Sequence, residues 1–186
     1  MVLLLTVGLL GAGCAREAPR EATGVPAVPA ATNAQVEDRQ AAVYAEVLRR
    51  YLATPNENSF PGRAFTNVYV LDRTVPGAGD PMNNGNGGTP IAVPTQERIT
   101  AAVTGFGAVT FIADKNTVIE DPNGCARVRD GGILITLGPV AGSGDRVEVA
   151  VSGFVACLGA TWLTYVVVKE TGGWRVSGTT GSIAVA

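Results

Sequence analysis

From Gly131 to the end of the chain, four β-rich runs follow one another: "GGILITLGPV", "DRVEVAVSGFVAC", "TWLTYVVVKE" and "WRVSGTTGSIAVA". The stretches "AGSGD", "LGA" and "ETGG" separate them as short turns. Antiparallel strands accept such short links, whereas parallel strands need a crossover of a dozen residues or more. The runs therefore predict an antiparallel meander. In the second run Val147, Val149 and Val151 alternate with Arg146, Glu148, Ala150 and Ser152. That period of two predicts one buried face and one partly wet face. In the third run Trp162, Thr164, Val166 and Val168 share one face, and Leu163, Tyr165 and Val167 share the other. Both faces are largely apolar, so this strand is expected to be covered on both sides.

The residues before the meander alternate between helix and strand signals. Thr32 and Gln35 have capping-box spacing at the head of "TNAQVEDRQAAVYAEVLRRYLATP". Val36, Gln40, Val43, Val47 and Tyr51 recur at helical spacing, with Tyr44, Leu48 and Leu52 beside them. Glu37 and Asp38 are expected in the first turn and Arg49 and Arg50 in the last, which suits the helix dipole. Pro55 ends the pattern. Tyr44 and Tyr51 are read as core-facing wedges. "FTNVYVLDRTV" predicts a strand, the Gly/Pro/Asn-rich stretch from Pro76 to Pro94 a long loop, and "PTQERITAAVTGFG" a second helix opened by Pro94. A strand around Val109 to Ala113 follows. The order predicts an α+β domain: an N-terminal helix, a second helix, and a curved antiparallel sheet ending in a four-strand meander.

The composition removes several function classes. There is no His among the 186 residues, which takes away the commonest general base and the commonest metal ligand. A zinc site of Cys and His cannot reach its ligand count. Net charge is -2 with no block of like charge, so no basic face for nucleic acid is expected. Asp80, Asn84 and Gly85 match three positions of a calcium loop, but Met82 and Ile91 fall where ligands are needed. Asp114, Glu120, Asp121 and Asp130 alternate with Lys115, Arg127 and Arg129 and read as solvated turn charge. No cofactor is implied.

The N-terminus carries an address. Val2 to Leu10 is an apolar stretch too short to span a bilayer. Gly11, Ala12 and Gly13 follow, and then Cys14. This stretch resembles a bacterial lipoprotein signal, in which small residues precede a Cys that is lipidated and becomes the mature N-terminus. The resemblance implies a signal peptide over residues 1–13 and a membrane anchor through lipid, palmitate included, on Cys14. "AREAPREATGVPAVPAA" then reads as an Ala/Pro-rich tether, giving a lipid-anchored linker over 14–31 and a single domain over 32–186. With Cys14 lipidated, Cys125 and Cys157 remain as an even pair in an oxidising compartment, which predicts a structural disulfide.

The element order and the "GGWRV" hairpin (Gly172 to Val176) are similar to cystatin-like cone folds, the nuclear-transport-factor-like group that includes ketosteroid isomerases. The whole chain also resembles a group of small uncharacterised lipoproteins of high-GC Gram-positive bacteria. These resemblances imply a cell-envelope protein on the outer face of the cell membrane. The first expectation is a binding or accessory module whose partner is a small apolar ligand or an envelope protein. Tyr69, Trp162 and Tyr165 are its candidate pocket residues. The alternatives are a cone-fold isomerase or cyclase using a carboxylate or Tyr, drawn from Tyr69, Tyr165, Asp72 and Asp114, and a purely structural envelope protein. No catalytic motif is present.

Overall fold

The structure is a computed structural model and describes residues 32–60, 64–83 and 87–186. The signal peptide, Cys14 and the linker expected over residues 1–31 lie outside the described residues, as do Asn84 and Gly85.

In chain order the elements are helices α1 (Asn33–Ala53) and α2 (Pro55–Asn58), strands β1 (Asn67–Thr74) and β2 (Thr89–Pro90), and helix α3 (Val93–Ala102). Strands β3 (Ala108–Ile112), β4 (Ile119–Glu120), β5 (Arg127–Val128) and β6 (Ile133–Leu137) follow. The long strands β7 (Arg146–Ala156), β8 (Gly159–Glu170) and β9 (Gly173–Val185) close the chain. This is the expected α+β architecture with a curved sheet and a terminal meander, β6-β7-β8-β9.

Helix α1 starts where its cap directs. Thr32 accepts from the Gln35 backbone N–H at 3.3 Å, and the Gln35 side chain accepts from the Thr32 N–H at 2.9 Å. Two of the four orphan N–H donors at the helix start are thereby satisfied. The helix ends before Pro55, and Pro55 then opens the single extra turn α2. Glu37 and Asp38 fall beyond the first turn, so only Arg50 serves the dipole as expected. The face that repeats at three and four residues (Ala41, Tyr44, Ala45, Leu48) is buried, and Val43, Val47 and Tyr51 widen it.

The sheet is mixed. β6, β7, β8 and β9 pair antiparallel, but β1 pairs in parallel with β3 on one side and with β6 on the other. The antiparallel expectation therefore holds for the meander and gives way at the opposite edge. Two long connections explain this. Helix α3 carries the chain from β1 back to the start of β3, and residues 113–132 carry it back again to the start of β6. Each is long enough for the crossover that parallel pairing requires. Register shifts between β1 and β6, β7 and β8, and β8 and β9 bend the sheet.

The two faces of the sheet are covered differently. On the inner face, α1 and α3 bury Val68, Val70, Ile133, Ile135, Leu163 and Tyr165 with the odd-numbered valines of β7. On the outer face a smaller cluster (Tyr69, Leu71, Val75, Ala78, Val118, Val128 and Leu134) is formed with two segments, residues 75–83 and residues 113–132 with the short strands β4 and β5. Strand β7 shows the consequence residue by residue: its odd positions from Val147 to Val155 are buried and its even positions are half-buried or exposed.

Candidate functional site

Cys125 and Cys157 are disulfide-bonded, with Cα atoms 5.2 Å apart across a sequence separation of 32. That spacing is the ordinary one for a bridge. Both residues are exposed, and the bond ties the segment 113–132 to the end of β7. Around it the Cys157 N–H donates to the Ala126 carbonyl at 2.8 Å, and Arg127 pairs with Ala156. The segment also packs through Val118 and Val128 and lays the Arg129 guanidinium 5.7 Å from the Tyr69 ring centre. These contacts hold it as one wall over the outer face.

Between this wall and the loop at residues 75–83 runs an outer groove of about 260 Å³. Its floor comes from three strands of the meander: Leu134 and Thr136 on β6, Ser152 and Phe154 on β7, and Trp162 on β8. Thr136 pairs with Ser152, and Ser152 with Trp162, so one row of the sheet presents two hydroxyls and an indole side by side. The walls add Val75, Ala78, Lys115 and Ile119, with Asp80 and Asn83 at the rim. The loop that carries the rim is ordered by its own side chains. Asp80 Oδ1 accepts from the Met82 N–H at 2.8 Å, and Asn83 Nδ2 donates to the Pro76 carbonyl at 2.6 Å. Gly77 sits at φ +73 where a Cβ would strike the Asn83 amide, so that turn requires glycine.

A second trough, of about 380 Å³, lies between α1, α3 and the β8–β9 turn. Its charged residues are neutralised in place, Asp38 by Arg98 and Glu46 by Arg49. Lys115 and Asp80 in the outer groove have no ion-pair partner among the described residues. The outer groove is thus the better candidate for receiving a ligand: an apolar floor with a few polar groups not yet spent on the protein itself.

The three residues expected to share a pocket do not converge. Trp162 lines the groove. Tyr69 is on the same outer face but is covered by the 113–132 segment. Tyr165 is on the inner face, fully buried against α1. Residues 162 and 165 on one strand differ by an odd number and must point opposite ways.

The Tyr165 hydroxyl donates to Glu57 Oε2 at 2.8 Å, and Arg50 clamps the same carboxylate from both oxygens. Tyr51, next along α1, shares a hydrogen bond with the Thr161 hydroxyl. Gly153 makes room for that ring, because a Cβ there would overlap the Tyr51 oxygen. Burial alone would raise the Glu57 carboxyl, but the hydrogen bonds from Arg50 and Tyr165 and the Arg50 charge outweigh it and hold the pKa below the ordinary value. Tyr165 is raised, first by burial and then by the adjacent carboxylate. Tyr51 is pushed up to about 12 by burial. A fixed carboxylate accepting from a fixed phenol is a structural clamp between α2 and β8, and neither groove described above includes either residue. The carboxylate candidates fare likewise. Asp72 pairs with Arg73 at 3.0 Å, and Asp114 is exposed and caps Asn116 at 2.9 Å. Glu120 pairs with Arg127 at 3.3 Å and Asp130 with Arg129 at 3.7 Å, both on the surface.

Sequence reasoning did not single out Thr136, Ser152 and Phe154. Their signal was the outer-face parity of β6 and β7. It did not find Glu57 either, because Pro55 hides the turn that brings it back to Arg50. No protein-family model, curated protein or solved structure matches this chain.

Proposed function

We propose that this protein is an extracytoplasmic lipoprotein, anchored on the outer face of the cell membrane through lipid on Cys14, whose domain binds a small ligand in the outer groove. The observation that carries the binding role is the groove itself. It sets Phe154, Trp162 and the Thr136 and Ser152 hydroxyls on a floor between two walls that bring Asp80 and Lys115, neither of them in an ion pair among the described residues, and the Cys125–Cys157 bond ties the Lys115 wall to the end of β7. The address rests on the leader, the small residues before Cys14 and the tether after it, and an exported compartment is also where a disulfide persists. Two or more acyl chains are needed for stable anchoring, and the lipoprotein pathway supplies them.

Two measurements test this reading. Cys14→Ser should move the protein from the membrane fraction to the soluble fraction, and mass spectrometry should find lipid on Cys14 as the mature N-terminus. Cleavage elsewhere, or an unmodified Cys14, ends the anchoring part. Independently, probes of differing polarity should perturb the Trp162 signal and leave the Trp174 signal unmoved, since the two indoles lie in different regions of the protein. A Trp162 signal that responds to no probe ends the binding part.

A further inference from the structure

We infer that the outer groove takes a neutral sugar, one ring at a time; this rests on the reading of the groove as a ligand site. The chemistry of six side chains leads there. Trp162 and Phe154 supply aromatic surface, and the negative face of such a ring attracts the polarised C–H hydrogens on the underside of a pyranose. Thr136 and Ser152 stand beside Trp162 in the same row, on neighbouring strands about 4.8 Å apart. Their hydroxyls make no hydrogen bond to protein among the described residues and can each both donate and accept, as a sugar hydroxyl requires. Asp80 spends one carboxylate oxygen on Met82 and keeps the other, an acceptor at the rim. Lys115 supplies donors on the facing wall.

The other ligand classes fit less well. A purely apolar ligand would cover Thr136 and Ser152 and leave their hydroxyls buried without partners, which opposes binding. An anion would meet one cation, Lys115, and the Asp80 carboxylate in the same lining. A neutral ring with an apolar face and a hydroxylated edge uses all six groups. The volume of about 260 Å³ lies just under the ~300–1,000 Å³ range of sites for larger ligands, which suits a single ring.

The test uses the full-length chain and follows the two indole N–H resonances by NMR, Trp162 reporting the groove and Trp174 serving as internal control. The probes are glucose, N-acetylglucosamine, cellobiose and chitobiose, with lauric acid as the apolar comparison. The expected result is a saturable shift of the Trp162 resonance with at least one sugar. Ser152→Ala and Thr136→Val should each weaken that binding by about three- to tenfold, the worth of one hydrogen bond. Sugar binding that neither substitution weakens overturns the inference, because the sugar then sits elsewhere. A response to lauric acid with none to any sugar at about 10 mM, a very weak binding range, overturns the sugar class and leaves the groove as a ligand site. No response to either removes the groove reading as well.

Discussion

The inner and outer faces of this sheet are built from the same strands but do different work. Strand β7 contributes Val147, Val149, Val151 and Val155 to a core sealed by two helices, and Ser152 and Phe154 to a groove roofed only at its sides by loops. The inner face has regular secondary structure over it and almost no solvent contact. Its three buried phenols all have partners: Tyr44 donates to the Gly138 carbonyl at 2.9 Å, Tyr51 pairs with Thr161, and Tyr165 donates to Glu57, while the Thr95 hydroxyl of α3 is buried without one. The outer face is covered by loops and two short strands, one wall of it carries the disulfide, and the Thr136 and Ser152 hydroxyls on it have no protein partner among the described residues. Stability is concentrated on one side and ligand-accepting chemistry on the other. A chain of this size can afford an unsealed face because its helix-covered face carries the core.

The sharpest way to break the inner face is alkali. Burial raises the Tyr44 and Tyr51 phenols from 10.0 to about 12. A raised folded pKa means that the unfolded chain loses these protons first. Their contribution is therefore whole below pH 10.0 and is lost as pH rises through about 12. Across that interval the two phenols together account for about 5 kcal/mol. Urea unfolding at about pH 9 and about pH 12 checks this; equal stabilities would mean that the inner tyrosines are not sealed.

Leu163→Ala comes next. Leu163 is fully buried beneath α1, and truncating such a side chain costs about 4 kcal/mol. Thermal unfolding should show a drop of many degrees with the groove's ligand response retained in the fraction still folded.

The third break is on the other face. Removing the Cys125–Cys157 bond should cost about 3 to 4 kcal/mol in the chain-entropy view, for a bridge of sequence separation 32. Cys125→Ala and Cys157→Ala should match, because either loses the one bond. The difference from Leu163→Ala is where the damage shows: hydrogen exchange should quicken first in residues 113–132 and leave the inner strands protected. Uniform loss of protection would mean that the outer wall is not a separate unit.

A smaller effect tests the polar matching of the inner face. Glu57→Gln removes the charge that Arg50 and Tyr165 address and should cost about 2 kcal/mol. The folded Glu57 pKa lies below its ordinary value of 4.5, so its contribution is present above that pH and lost as pH falls through the lower folded value. The substituted protein should therefore lose less stability on acidification than the parent does, as read from denaturant midpoints down the acid limb.

How far the sequence revealed these two faces depends on the range of the interactions. Helix α1 was legible because its signals are local: a Thr32–Gln35 box, a 3.6-residue repeat and Pro55. The meander was legible because a period of two and three short turns leave little choice of pairing. The parallel edge was not, since nothing in β1 says which strands will flank it after two long connections. The disulfide was legible by parity of cysteines rather than by position. The site was read least well. Grouping Trp162 with Tyr165 overlooked the strand parity that the sequence itself displays. Grouping Tyr69 with Trp162 chose the right face, but not the packing of residues 113–132 over the Tyr69 ring. Glu57 and Arg50 meet only because a four-residue helix folds back after Pro55, which composition and periodicity do not announce.

The finest test of the comparison is a pair of neighbours. Trp162 and Leu163 are consecutive, so they point to opposite faces of β8. By size alone Trp162→Ala should be the worse lesion. By position it should be the milder one, because the indole is half-buried at an open groove and its loss leaves space that water can fill rather than a sealed cavity. The expected cost is about 1 kcal/mol or less, a fraction of that for Leu163→Ala. Binding should reverse the order: Trp162→Ala should abolish the ligand response, read by a method that does not depend on the indole, such as calorimetry. If Trp162→Ala instead destabilises as much as Leu163→Ala, the outer face is a second core and the division of labour between the two faces fails.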